Sequence, residues 1–258
     1  VEATQTAREN DPDKRMKEME EVPYPLVANS LRIDTDRGRG SGFVIAQKYS
    51  EEKDKTVALI VTSMHFLSEA NQFMNISQMD MEGNKIDNIN KSHFSVDEFR
   101  VFYTKQKELS LIALEADGKT DIFDNLADVR VAKEVPSEGT KMFSINFPIA
   151  TEDKPYLSKG TVMKRDKAPE KDEEYGIYWT GGDVSGASGS SGGAWFTIGG
   201  VLAGVHYGRD NEGKHKFAAV TPVVQDVLER AVEGGDDQRG KSVNEYYKVN
   251  FDIKSPGE

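Results

Sequence analysis

Between residues 26 and 220 the chain is a series of short apolar runs broken by polar turn residues. Leu31–Asp34, Gly42–Gln47, Val57–Thr62, Phe99–Tyr103, Leu109–Leu114, Val129–Ala132, Met142–Phe147, Ile177–Thr180, Ala194–Ile198 and Val201–Tyr207 are each strand-sized. About ten such runs with no helical period between them predict an all-β barrel or sandwich. After them comes one helical pattern. Thr221 fits an N-cap with Pro222 at the first helical position, and Val224, Val227, Leu228, Ala231 and Val232 recur at helical spacing before Gly234-Gly235 stop it.

The ends differ from the middle. Residues 1–21 are dense in charge and read as a solvated arm or short helix, closed by Pro23 and Pro25. At the other end Tyr247, Val249, Phe251 and Ile253 alternate with Lys248, Asn250 and Asp252, which predicts a late strand or an arm that docks on something. The organisation expected is an arm at 1–25, a β unit at 26–120, a second at 121–220, a helix at 221–235 and a tail at 236–258. The seam between the β units falls near Asp117–Asp124.

Composition narrows the function classes. The 258 residues are 37% hydrophobic, enough for a sizeable core, and carry a net charge of −11. Such a surface repels phosphate backbones, so no nucleic acid is expected as a partner. No apolar run approaches the length of a membrane span. There are no cysteines, which removes disulfides, thiolate metal sites and a cysteine nucleophile together. No His-Glu-x-x-His pattern or comparable cluster is present, so no metal is expected. The chain opens on Val1 and is expected to be processed or excised from a longer precursor.

The chemistry-bearing segment is Ser185-Gly186-Ala187-Ser188-Gly189-Ser190-Ser191-Gly192-Gly193-Ala194-Trp195-Phe196. A serine among glycines fits a tight turn whose backbone N–H groups converge on one point and hold an oxyanion, at about 3–4 kcal/mol per donor. The plainer alternative is a flexible linker, but a linker rarely runs straight into Ala-Trp-Phe and a second apolar strand. A serine hydroxyl needs a base. Of four histidines, His93 and His215 sit in polar loops, His65 follows the apolar run Val57–Thr62, and His206 lies in the strand after the serine loop. His65 alone also fits a packed structural histidine. Glu108, opening the Leu109–Leu114 run, is the best-placed carboxylate to orient a base. As a strand-start glutamate it equally fits an exposed charge, and Asp97 and Glu98 are fallback acids.

Together these blocks resemble the trypsin/chymotrypsin superfamily of serine proteases. Gly40-Ser41-Gly42-Phe43-Val44-Ile45 resembles the family's first glycine-rich strand, Val61-Thr62-Ser63-Met64-His65 its V-T-A-A-H block, and Glu108–Leu114 its D-L-A-L-L-x-L strand. Gly139–Pro148 and Gly160-Thr161-Val162 are similar to stretches of bacterial members. Gly189–Gly193 matches G-x-S-G-G, and Val220-Thr221-Pro222-Val223 looks like the approach to the family's closing helix. The order is kept across residues 38–232.

The resemblance implies two six-stranded antiparallel β-barrels, with the active site in the cleft between them and a C-terminal helix. It implies a serine endopeptidase acting on protein or peptide substrates, with Ser191 as nucleophile, His65 as base, Glu108 as orienting acid, and the N–H groups of Gly189 and Ser191 as oxyanion hole. No cofactor is implied. Three departures stand out: Glu at 108 instead of Asp, Ser63-Met64 before His65, and Ser190 where zymogen-activated members carry Asp. The start Val1-Glu2-Ala3 is unlike the terminus that pairs with that Asp, so a site formed without N-terminal activation is expected.

Gly204-Val205-His206-Tyr207-Gly208 resembles the specificity strand of glutamyl endopeptidases and viral main proteases. It implies that His206 receives a Glu or Gln side chain, with Ser185 and Ser188 as added hydroxyls, Ala218 in an open pocket wall, and the His206–Gly208 backbone pairing with substrate. A strand-capping histidine is the alternative for His206. The rival functions are a non-catalytic binding or scaffold module on the same fold and an α/β-hydrolase esterase; the latter needs a helix directly after Ser191, where a β-like run stands instead. Docking of a partner by the terminal extensions and an extracytoplasmic location complete the expectations.

Overall fold

A computed structural model describes residues 25–64, 72–80, 84–86, 92–95, 100–103, 109–149, 154–162, 179–180, 189–209, 218–233 and 242–257. The short helix α1 (Pro25–Ala28) leads into β1 (Ser30–Thr35), β2 (Gly38–Ser50), β3 (Lys55–Ser63), β4 (Gln72–Met79), β5 (Lys85–Ile86), β6 (Ser92–Ser95), β7 (Arg100–Tyr103) and β8 (Leu109–Asp117). These form one sheet in the order β5-β4-β1-β2-β3-β8-β7, with β6 also on β4.

The second sheet holds β9 (Arg130–Val131), β10 (Lys141–Asn146), β11 (Tyr156–Thr161), β12 (Trp179–Thr180), β13 (Ala194–Thr197), β14 (Val201–Arg209) and β15 (Ala218–Pro222), in the order β11-β10-β13-β14-β15-β12 with β9 on β14. Among the described pairs of strands only β9–β14 runs parallel. The all-β expectation holds, in two sheets, and the counts of eight and seven include six strands of two to four residues (β5, β6, β7, β9, β12 and β13).

Why the runs were apolar without alternation is visible in the packing. Along β3, Val57, Leu59 and Val61 face the core shared by both sheets, while Ala58 and Ile60 face the first sheet's own core. β8 divides the same way: Leu109, Leu111 and Ala113 join the shared core, Ile112 and Leu114 the inner one. In the second sheet Ala194 and Phe196 reach the shared core and Trp195 packs inward with Met142, Val162 and Ala203. Both faces of each strand meet protein, so period two survives only as a choice of core. Phe43 from the first sheet and Phe196 from the second meet edge to face at 4.9 Å, and Phe143 stacks on Phe196 at 5.4 Å. Each such buried ring contributes about 1.5–3 kcal/mol.

Two buried amides tie the connection between sheets. Asn29 donates to Val44 O and Ala127 O and accepts from Ala127 N–H, while Gln78 donates to Ala28 O and Asp124 O and accepts from Asp124 N–H.

Helix α2 (Gln225–Glu233) buries Val227, Leu228 and Val232, as its spacing predicts. Its start is a correction. Thr221 and Pro222 are not cap and first turn; they close β15, opposite Val205 and Gly204. The carbonyl of Val224 is the one that accepts from Val227 and Leu228.

The tail is the arm rather than the strand. Helix α3 (Val243–Tyr247), capped by Ser242 Oγ accepting from Glu245 N–H, is followed by a segment that joins no strand ladder among the described residues, with Lys254 O accepting from Val131 N–H. Val243, Tyr247, Phe251 and Ile253 enter the shared core, and Ser50 Oγ donates to Tyr247 O. Among the described residues no helix is long and apolar enough to cross a membrane. The N-terminal arm lies outside the described residues.

Candidate functional site

Three strands bring the chemistry to one end of the first sheet. β3 and β8 are antiparallel and their last pair is Ser63 with Leu109, so the chain leaves toward position 65 and arrives from position 108 at the same end. Met64 lies over that end, its sulfur accepting from Ser110 Oγ at 3.0 Å. β2 runs alongside, pairing Phe43 with Val61, which puts Ser41 at the same level as the end of β3. Thr62 Oγ1 donates to Ser41 O at 2.7 Å.

From the second sheet the loop 189–193 descends onto Ser41. The Ser41 N–H donates to Ser191 O (2.7 Å), Ser41 Oγ donates to Gly189 O (2.8 Å), and Phe147 N–H donates to Ser41 Oγ (2.9 Å). Gly193 N–H donates to Ser190 O (3.0 Å), and Gly192 N–H to His206 O (2.7 Å). Every carbonyl from 189 to 191 is thereby held. A trans peptide sets its N–H opposite its C=O, so holding Ser190 O also fixes the direction of the Ser191 N–H.

The turn depends on its glycines. Gly189 and Gly192 have φ of +98° and +90°. A Cβ on Gly192 would collide with Ser41 O and Thr62 Oγ1, and one on Gly189 would meet Phe147 O at 2.7 Å. The close approach between the sheets requires both.

Ser190 is fully buried and its hydroxyl donates to Asn146 Oδ1 at 3.2 Å, with Asn146 Nδ2 donating on to Ser144 Oγ. Ser191, by contrast, is half-buried. Of two adjacent serines, one is sunk into a neutral network and the next stays accessible at the seam of the sheets.

His206 is 2% exposed and sits beneath this loop. Its N–H donates to Gly193 O at 2.8 Å, and its ring lies nearly parallel to Trp195, centroids 6.5 Å apart. The register slips between His206 and Gly208 against β15, leaving Tyr207 as the extra residue of a bulge. β13 pairs with β14 only as far as Val205, so among the described residues 207–209 have no strand partner on that side.

Of the residues singled out by sequence, Gly189, Ser191, His206 and Gly208 come together here. His65, Glu108, Ser185 and Ser188 lie outside the described residues, as do the fallback acids Asp97 and Glu98. Of Tyr207 and Ala218 only the backbone is described. Sequence reading missed Ser41, Thr62 and Asn146 as site residues. The signal for Ser41 was available: a small polar residue between Gly40 and Gly42, directly before the apolar run Phe43–Ala46.

A family model described as the trypsin-like peptidase domain matches residues 40–205, more than half of the chain. No curated protein sequence matches significantly. Among solved structures, a serine endoprotease from Yersinia pestis superposes with a TM-score of 0.54 at 16% identity, covering 86% of this chain and 67% of the other. The HtrA-type protease AlgW with tripeptide gives 0.57 at 13% identity over 86% of this chain and 64% of its own. The Rv3671c protease of M. tuberculosis in its inactive form gives 0.52 at 14%, over 87% and 96%. At these identities the structural likeness establishes the fold.

Proposed function

The chain belongs to the trypsin-like peptidase family and is a serine endopeptidase; from that premise we propose that Ser191 is its nucleophile, His65 its base and Glu108 the acid that orients the base. The single observation that carries the proposal is the accessible Ser191 on a glycine-bracketed turn whose carbonyls are all held, seated where β3 ends and β8 begins.

In this reading His65 takes the hydroxyl proton as Ser191 Oγ attacks the substrate carbonyl. The N–H groups of Gly189 and Ser191 receive the oxyanion, and His65 returns the proton to the leaving amine as the C–N bond breaks. Water, deprotonated by the same base, then attacks the acyl-enzyme ester and releases the acid and Ser191. Glu108 holds the imidazole tautomer. No cofactor enters these steps.

Substrate backbone adds as a strand along 206–208, where β14 beyond His206 has no strand partner on the β13 side among the described residues. The acyl-side residue is Glu or Gln, received by His206, with Ser185, Ser188 and Ala218 around it. What supports this is a buried imidazole bonded through its backbone to Gly192 and Gly193, because imidazole donates well to a carboxylate or an amide carbonyl. The test is a peptide-library digest by wild type, Ser191→Ala and His206→Ala. Cleavage after Glu or Gln that disappears in Ser191→Ala and loses its preference in His206→Ala is the expected result. Undiminished cleavage by Ser191→Ala would sink the nucleophile, and an unchanged preference in His206→Ala would sink the pocket.

A further inference from the structure

We infer that Ser41 is a positioning residue for acyl transfer, keeping the loop of Ser191 in register with the strand that leads to His65; the inference rests on the nucleophile reading above. Ser41 is fully buried and makes four hydrogen bonds of 2.7–2.9 Å, and three of them cross from the first sheet to the second. Its N–H and its hydroxyl grip the carbonyls on either side of the Ser190–Ser191 peptide. Its own carbonyl is gripped by Thr62, three positions before His65 in the sequence.

The hydroxyl does a job that no backbone group replaces. It accepts from Phe147 N–H while donating to Gly189 O, so it joins the strand end after β10 to the first residue of the turn. Gly189 has no Cβ and a positive φ, so nothing intrinsic to its backbone keeps that carbonyl where it is. With the Ser41 hydroxyl removed, Gly189 O loses its donor, and the Gly189–Ser190 peptide no longer steadies the peptides before and after it. The N–H groups proposed for the oxyanion belong to those peptides. An error of this kind degrades the transition state more than ground-state binding, since donors are aimed at charge that develops only during attack.

The experiment uses the full chain. The rate of fluorophosphonate labelling at Ser191, together with kcat and KM on a peptide found in the library digest, is measured for wild type, Ser41→Ala, Ser41→Cys and Ser50→Ala. Ser50 is an equally buried serine hydroxyl bonded to Tyr247 O, away from the loop, and controls for lost stability. Labelling rate and kcat are expected to fall about 10–100-fold in Ser41→Ala with KM nearly unchanged. Ser41→Cys, close in shape and a weak donor and acceptor, should lie between. Ser50→Ala should keep the wild-type rate at a comparable loss of Tm. Wild-type rates in the Ser41 variants, or an equal rate loss in Ser50→Ala, overturn the inference while the nucleophile stands. A wild-type chain that the probe leaves unlabelled at Ser191 overturns the nucleophile and the inference with it. If Ser41→Ala fails to fold, Ser41→Cys decides by the same criteria.

Discussion

Replacing Gly192 by alanine is the most demanding test of how the two sheets meet. Two costs add. The backbone at 192 has φ +90°, where an L side chain costs about 1–2 kcal/mol. The new methyl is also driven into Ser41 O and Thr62 Oγ1 and lies 3.0 Å from the Ser41 carbonyl carbon, so it meets backbone that is itself pinned in a strand. Overpacking of this kind costs roughly 1–3 kcal/mol more. The sum, about 2–5 kcal/mol, corresponds to a fall in Tm of roughly 4–20 °C for a domain near this size. Gly118→Ala is the control: its φ is +73° but nothing lies within 4 Å of the added Cβ, so only the first cost applies, about 1–2 kcal/mol. Thermal unfolding followed by circular dichroism compares the two, and fluorophosphonate labelling follows the loop. Gly192→Ala should melt below Gly118→Ala and label far more slowly. Equal melting of the two variants with undiminished labelling of Gly192→Ala would refute the close contact between Ser41 and the turn.

Three further outcomes follow from the packing. Gln78→Met leaves Asp124 N–H and the carbonyls of Ala28 and Asp124 without their amide, and urea denaturation should show a loss of about 1–3 kcal/mol. Phe251→Ala empties a 3%-exposed site in the shared core and should cost about 3–5 kcal/mol in the same assay with kcat little changed. Hydrogen bonding to Glu115 raises the Lys55 ammonium above its usual range, with Glu115 at 2.5 Å and Asp117 at 3.4 Å. The raised folded-state pKa means that its stabilisation is complete at neutral pH and lost as pH climbs through the lysine range. The stability gap between wild type and Lys55→Met, measured by urea midpoints, should therefore narrow with rising alkalinity; a constant gap would refute the linkage.

The strands most legible in the sequence were those whose two faces both meet protein. Val57–Thr62 needed no partner to be recognised, because eight consecutive residues from Thr56 are buried in β3. Strand β4 was missed for the opposite reason: Gln-Phe-Met-Asn-Ile-Ser-Gln-Met carries little periodicity, and what orders it is pairing with β1, Ile76 against Ile33. Thr221-Pro222, the last two residues of β15, read as a helix start because Thr-Pro is a sound cap motif, and the ladder to β14 outranks it. At the site, the turn was legible because glycines announce a close approach before the neighbour is known. The neighbour was not: Ser41 Oγ and Gly189 O lie 148 positions apart in the chain, and no local pattern encodes that bond. The burial of Ser190 beside the accessible Ser191 is likewise a tertiary outcome, fixed by Asn146.

The double-faced strands β3, β8 and β13 also limit how this protein can be taken apart. Expressed alone, either half would present a wall of valine, leucine and phenylalanine to solvent, a surface of the kind that drives aggregation. The sheets are two in geometry but one in solubility, and dissection by truncation or half-for-half recombination with a distant relative should yield inclusion bodies unless the partner wall is supplied in the same tube.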